Sequence, residues 1–324
     1  MQIKQSAHVI ILTASLAVLA SCGGAKKGIT PTAEVPVEPV VQLGNVAEFD
    51  GLPQQLTAGE ADNGIGAFHP AGDRVVFQSN RDGRWQIFEL YLSDNAEFRL
   101  MESEANDENP HWMLNGNGAL FVSDRDGQGQ EYERDIYSYN PEDGQVVRIT
   151  NAAGDDWYPV PFDSESFLFL SERNALPMAL EFARSNTIYR GFIDGREAVE
   201  FVSADFDPSC PAQLPDDKVL VRTKDGRLAR YVGADGSLEV LTPSDYRIGQ
   251  ITYNPVRNFA AFTARAVEPV YRLYLFDLNS KTLQACDTGQ GEVRYPQFSP
   301  DGGSILFTQE VEGKFQLFLW KLAQ

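Results

Sequence analysis

A strand-forming unit recurs six times along this chain, and that recurrence limits the fold more than any other feature of the sequence. Its clearest copy is Tyr295-Pro296-Gln297-Phe298-Ser299-Pro300-Asp301-Gly302, echoed at Gly66-Ala67-Phe68-His69-Pro70-Ala71-Gly72 and at Pro110-His111-Trp112-Met113-Leu114-Asn115-Gly116. Weaker copies centre on Pro161, Gln213 and Tyr253. Aligned on Phe68, Trp112, Pro161, Gln213, Tyr253 and Phe298, the copies stand 44, 49, 52, 40 and 45 positions apart. Eight or nine residues after each anchor an apolar side chain ends a β-rich run, at Phe77, Phe121, Phe169, Val221, Phe262 and Phe307. Hairpins follow, as in Asn80-Arg81-Asp82-Gly83, Asp124-Arg125-Asp126-Gly127 and Lys224-Asp225-Gly226, where Asp-Gly suits a tight turn. A third strand carries Ile87-Phe88, Ile136-Tyr137, Ile188-Tyr189, Leu228-Ala229, Leu273-Tyr274 or Leu317-Phe318, and a fourth ends in Ile149-Thr150 or Leu241-Thr242. Four short strands per repeat of this length is the period of a propeller blade, so the expected fold is all-β, a six-bladed β-propeller.

The sixth copy stops after its third strand, which would leave a long apolar edge open. Gln54-Gln55-Leu56-Thr57 matches the fourth-strand ending and precedes the first blade, so the N-terminal strand is expected to complete the sixth blade and close the ring. Only Leu176 to Arg184, in the long hairpin connection of the third blade, has helical character.

Taken together, the Pro-x-Trp/Phe-Ser-Pro-Asp-Gly strand, the Ser-x-Arg-Asp-Gly hairpins at Ser79 and Ser123, the Ile/Leu-Tyr/Phe strand and the Leu-Thr ending resemble the TolB-type propeller repeats, over roughly residues 54 to 324. The resemblance implies a propeller but not one activity, because such repeats serve binding proteins, peptidase propeller domains and some lyases. TolB carries an α/β domain ahead of its propeller. Here a short N-terminal segment stands in that place, so the resemblance does not by itself imply a Tol-Pal role.

That segment decides the compartment. Lys4 gives a basic start, Val9 to Ala20 is an apolar run too short to span a bilayer, and small residues follow, which is the layout of a secretory signal peptide. Leu19-Ala20-Ser21-Cys22 is similar to the lipobox of bacterial lipoproteins, which implies cleavage before Cys22 and lipidation of that thiol. With Gly23 next, the resemblance implies an outer-membrane destination, the folded part facing the periplasm or the cell surface. The expected organisation is a signal peptide over 1–21, a lipidated Cys22 and Pro-rich tether over 22–44, and the propeller over 45–324. Pro31, Pro36 and Pro39 favour extended chain, which at about 3 Å per residue reaches roughly 60 to 70 Å.

The formal net charge is -19, and loss of residues 1–21 removes one further positive group, Lys4. Such a surface repels nucleic acid and anionic headgroups. Cys210 and Cys286 should lie near the axis and the rim respectively, too far apart to bridge, so a packed core must hold the fold.

Signatures of chemistry are sparse. No Gly-x-Ser-x-Gly, His-Glu-x-x-His, Cys-x-x-Cys or phosphate-loop pattern occurs, and no catalytic residue or metal ligand set is assigned. His69 and His111 fall on adjacent inner strands out of register with each other, as packing or channel-lining residues. Asp124, Asp126, Gln128 and Asp135 imitate a calcium loop but belong to a repeated hairpin. Trp85, Trp112, Trp157 and Trp320 suit blade packing. The one recurring constellation is acidic: Asp62, Asp107, Asp155, Asp156, Asp207 and Glu292 stand at the start of inner strands. They either crowd one channel mouth and attract a basic segment or divalent cation, or simply begin each turn. The expected function is a monomeric, non-catalytic envelope module that binds a protein, peptide or glycan and needs no cofactor. The alternatives are a metal-dependent lyase or hydrolase and a structural subunit of an outer-membrane complex.

Overall fold

The apolar runs that end at Phe77, Phe121, Phe169, Val221, Phe262 and Phe307 form strands whose apolar residues are buried on both faces, because a neighbouring blade covers each side. A computed structural model describes residues 38–127, 134–173, 186–203, 208–232, 237–266 and 268–323. Cys22, Asp207, Gln128 and the stretch from Leu176 to Arg184 lie outside them.

Two short strands come first, β1 (Gln42–Leu43) and β2 (Gln54–Gln55). Blade 1 is β3 (Asn63–Phe68), β4 (Arg74–Ser79), β5 (Gln86–Tyr91) and β6 (Glu97–Arg99). Blade 2 is β7 (Asp107–Trp112), β8 (Ala119–Ser123), β9 (Asp135–Tyr139) and β10 (Val146–Arg148). Blade 3 is β11 (Asp156–Pro161), β12 (Ser166–Ser171), β13 (Thr187–Phe192) and β14 (Val199–Val202). Blade 4 is β15 (Ser209–Gln213), β16 (Val219–Arg222), β17 (Leu228–Tyr231) and β18 (Leu238–Val240). Blade 5 is β19 (Arg247–Asn254), β20 (Phe259–Arg265), β21 (Arg272–Asp277) and β22 (Thr282–Ala285). Blade 6 is β23 (Val293–Phe298), β24 (Ser304–Val311) and β25 (Lys314–Lys321). All described elements are strands in six sheets, so the six-bladed β-propeller is the fold. The third-strand residues predicted at each copy all lie in β5, β9, β13, β17, β21 and β25.

Closure runs through the N-terminal strand. β2 pairs antiparallel with β25, Gln54 opposite Leu319 and Gln55 opposite Phe318, as blade 6's fourth strand. Leu56 N donates to Leu317 O at 2.8 Å, and Leu317 N donates to Thr57 Oγ1 at 2.9 Å. The preceding segment also docks: Phe49 stacks on Trp320 at 3.7 Å between ring centroids, and Trp320 Nε1 donates to Gly51 O. Within the span expected to be tether, Gln42 and Leu43 are a strand: β1 lies parallel to β22 and adds a fifth strand to blade 5. Composition hid this, because both side chains are exposed and only their backbone is used.

Six apolar clusters hold the described blades together, one at each junction between neighbours. At the junction of blades 6 and 1, Leu56, Phe68, Phe77, Phe88, Leu306 and Leu317 interlock, so the closing strand's leucine is part of the core.

Candidate functional site: the axial cavity

Each inner strand breaks register with its second strand at the same place, between Gly64 and Ala67, Glu108 and His111, Trp157 and Val160, Ser209 and Ala212, Ile248 and Ile251, and Arg294 and Gln297. These are β-bulges, which bend a strand and redirect its side chains. The first bulge residue is left-handed although it is not glycine in five blades: Ile65 (φ 49°), Asn109 (52°), Tyr158 (56°), Cys210 (52°) and Tyr295 (50°). Such a conformation costs on the order of 1–3 kcal/mol and persists only where the surroundings impose it. Blade 5 has Gly249 there, where a Cβ would stand 2.4 Å from Thr263 Oγ1.

Glutamines of adjoining strands take up inner-strand backbone groups at this level. Phe68 N donates to Gln297 Oε1 at 2.7 Å, Asn109 N to Gln78 Oε1 at 2.7 Å, and Tyr295 N to Gln250 Oε1 at 3.3 Å. Inside the ring lies a cavity of about 450 Å³. It runs from the bulges towards the turns that follow the inner strands, where Leu214, Pro215 and Pro255 border it. Its walls include Ile65, His111, Tyr158, Val160, Gln213, Tyr253, Tyr295 and Gln297, with Pro211 and Pro296 between them. Among the described residues no Asp, Glu, Lys or Arg lines it. Glu108 and Arg294, one residue before their bulges, mark the level where charge begins.

His111 supplies the cavity's ionisable nitrogen. The residue is 9% exposed, its Nδ1 is closed off from solvent, and its ring lies beside the Asn109 backbone, which favours the protonated form. Burial pushes its pKa from 6.5 down to about 4, so the ring is neutral at neutral pH. Burial likewise raises the Tyr158 and Tyr295 hydroxyls and the Cys210 thiol, which therefore stay protonated. Above pH 6.5 the imidazole is neutral in both folded and unfolded chains and adds no pH dependence. Between 6.5 and about 4 only the unfolded chain takes up the proton, so stability is lost as pH falls, by up to about 3 kcal/mol. Asp135, raised to about 6 by burial against the pull of Arg148, acts in the opposite direction over the same interval. Urea unfolding of the parent and of His111→Gln at about pH 7 and about pH 4.5 isolates the histidine. We expect the parent to lose roughly 2–3 kcal/mol relative to the variant on acidification. A difference that does not change with pH would show that His111 is freely protonated in the fold.

The acidic residues sit at the opposite, N-terminal ends of the inner strands, and each described one has partners of its own. Asp107 Oδ1 accepts from Arg125 Nη2 at 2.8 Å, and Asp155 Oδ2 from Arg134 Nη2 at 2.8 Å. Asp156 Oδ2 accepts from Arg173 Nη2 at 2.8 Å, and its other oxygen from Ser171 Oγ at 2.5 Å. Glu292 Oε1 accepts from Arg294 Nε at 2.6 Å, and Asp62 accepts from Asn80 Nδ2 and Phe315 N. Every described member thus has a donor, while Asp107 Oδ2 is buried without one of its own among the described residues. Two of these contacts, those of Asp107 and Asp156, belong to a device found in three blades: the hairpin arginines Arg81, Arg125 and Arg173 bond back to Ser79, Ser123 and Ser171, reach across to Asn63, Asp107 and Asp156, and cover the rings of Phe88, Tyr137 and Tyr189.

His69 is not a cavity residue. Its Nδ1 accepts from Ala71 N at 3.1 Å and its ring packs edge-on against Trp112, so it stabilises the first blade's turn. In the calcium-like loop, Asp124 accepts from Asn106, Asp126 from Tyr137, and Asp135 from Arg148. Cys210 and Cys286 are free and buried. No group of three or more His, Cys, Asp and Glu side chains is placed to hold a metal ion among the described residues.

Residues 37–241 match the family described as TolB beta propeller domain. An uncharacterized protein of Agrobacterium fabrum is 29% identical over 103 residues, covering 32% of this chain and 33% of that one, so the chain spans about a third of the length of the curated relative it matches. Among solved structures, a gluconolactonase from Xanthomonas campestris superposes with a TM-score of 0.62 at 14% identity, over 90% of this chain and 99% of the other. A putative TolB from Agrobacterium tumefaciens gives 0.59 at 15%, over 83% and 93%. An oligogalacturonate lyase in complex with manganese gives 0.54 at 15%, over 86% and 99%. Identities this low show the common fold and nothing of activity. The family match, which takes in more than half of the sequence and the four blades from blade 1 to blade 4, carries more: this chain belongs to the TolB beta propeller domain family.

Proposed function

We propose that this protein is a non-catalytic binding module of the bacterial cell envelope, tethered through lipid on Cys22, which holds part of its partner in the axial cavity. The observation that carries this reading is the cavity itself: about 450 Å³, within the ~300–1,000 Å³ usual for small-molecule sites, with tyrosine walls and no charged side chain among its described lining. Structural neighbours include both a putative TolB and enzymes, among them a lyase in complex with manganese. A comparable metal does not fit this cavity, since His111 is its one His, Cys, Asp or Glu among the described lining residues.

Crosslinking in intact envelopes tests the reading. The parent should capture its partner, whether protein, peptide or glycan, and capture should fall at least tenfold when Gln213→Trp or Val160→Trp fills the cavity at an unchanged melting temperature. Equal capture by all three would move the binding surface elsewhere on the propeller. In the same cells Cys22→Ser should leave the membrane fraction while still being exported. A variant that stays membrane-bound after a salt wash would rule out lipid on Cys22 as the anchor.

A further inference from the structure

We infer that the axial cavity is built for an uncharged, hydroxyl-bearing ring, a neutral sugar residue, in preference to a charged group or an extended peptide. The inference rests on the proposed role of the cavity as the binding site and adds the chemistry of what enters it.

Charge is the first discriminator. The chain carries a formal net charge of -19, yet the cavity's described lining has no charged side chain. A cationic or anionic group entering it would lose hydration without gaining a counter-ion, which costs several kcal/mol in a partly desolvated site. An uncharged ligand avoids that cost.

The second discriminator is the backbone. Peptides commonly dock by adding a strand to an exposed sheet edge, through main-chain hydrogen bonds. The innermost strands are the edges that face the axis, but each is bulged at cavity level, and the N–H groups of Phe68, Asn109 and Tyr295 are already held by Gln297, Gln78 and Gln250. A ligand here is left to meet side chains.

Those side chains supply the third. The Tyr158 and Tyr295 hydroxyls make no hydrogen bond among the described residues, and the His111 ring stands in the same cavity wall. A hydroxyl without a protein partner is free to bond a ligand that enters the cavity. A phenol both donates and accepts, and a neutral imidazole does one at each nitrogen, which matches a hydroxyl group's own dual capacity. The tyrosine rings and the prolines Pro211 and Pro296 offer apolar faces to the C–H face of a sugar ring.

The test is titration calorimetry on the full chain with glucose, galactose, mannose, N-acetylglucosamine, cellobiose, lactose and chitobiose, beside the charged analogues galacturonate and glucosamine. At least one neutral sugar should bind, with both charged analogues at least about tenfold weaker. Tyr158→Phe and Tyr295→Phe, which remove one hydroxyl each and keep the ring, should each weaken binding roughly 3- to 10-fold. Gln213→Trp should abolish it, while the exposed control Glu104→Gln should leave it unchanged. The sugar inference is overturned if no neutral sugar binds the parent, if charged analogues bind as well as neutral ones, if the cavity variants bind like the parent, or if an envelope crosslink in the cavity maps to a peptide. If no sugar binds but Gln213→Trp still abolishes envelope capture, only the ligand class falls. If capture also survives Gln213→Trp, the cavity reading falls with it.

Discussion

Deleting residues 45–57 is expected to lower the melting temperature by about 10 °C or more, whereas deleting residues 24–37 leaves it unchanged. The shorter N-terminal piece holds β2 and the contacts that seat it. Leu56 is 8% exposed in the cluster between blades 6 and 1, and losing such a side chain alone costs about 2–5 kcal/mol. The Phe49–Trp320 stack adds on the order of 1 kcal/mol. The hydrogen bonds joining Leu56 and Thr57 to Leu317 add about as much again. A loss above about 5 kcal/mol is most of the margin by which an ordinary domain is folded, and in a domain of this size it moves the midpoint by about 2 °C per kcal/mol. It also leaves β25 as a bare edge, so the shortened protein should aggregate on heating. Scanning calorimetry of both deletions decides the matter, and equal midpoints would sink closure by the N-terminal strand.

Asp156→Ala is expected to destabilise the fold by about 3–5 kcal/mol, the usual cost of leaving one member of a buried ion pair alone. The Asp156 carboxylate is fully buried, while Arg173 is 19% exposed and cannot easily turn to water. Burial raises the Asp156 pKa even against the attraction of Arg173, so the pair gains little from its charge as such; the cost lies in stranding the guanidinium and the Ser171 hydroxyl. Asp156→Asn keeps one acceptor oxygen for Arg173, leaves only the Ser171 hydroxyl without its acceptor, and should lose less than half as much. Glu104→Gln, on the solvent-exposed pair with Arg84, should change nothing measurable. Urea unfolding at pH 7 reads all three. If Asp156→Ala is as stable as the parent, the carboxylate is not a structural partner of the hairpin, and a role in binding at that mouth returns.

The blades were legible in the sequence because their determinants are local. A turn residue must be Gly or Asp, and a strand buried on both faces must be apolar, so Asp82-Gly83 and Phe77 announce themselves within a few residues. The acidic residues were half legible. Their recurrence was plain, but their partners lie across a hairpin: Arg125 is 18 positions from Asp107 and Arg173 is 17 from Asp156. Arg81 stands the same 18 positions from Asn63, so the repeated spacing was a usable signal for pairing. The cavity was legible only as an axial channel with His111 beside it, and the shape of its walls was not. It depends on left-handed backbone at Ile65, Tyr158 and Tyr295, residue types that ordinarily avoid that conformation, and no side-chain pattern advertises a bulge imposed by the ring around it.

Closing a ring with strands from both ends of the chain also orders events in time. The bond from Leu317 N to Thr57 Oγ1 joins residues 260 positions apart, and β1 meets β22 across almost as long a span. Contacts of such separation form slowly, because the intervening chain must be confined before they repay it. Blades 1 to 4 are built from neighbours in sequence and can assemble as they become available, but the N-terminal segment has nowhere to bind until blades 5 and 6 exist. A chain delivered N-terminus first would therefore hold its first strands in waiting through the whole of delivery, and the last step of its folding would be the return of its beginning to its end.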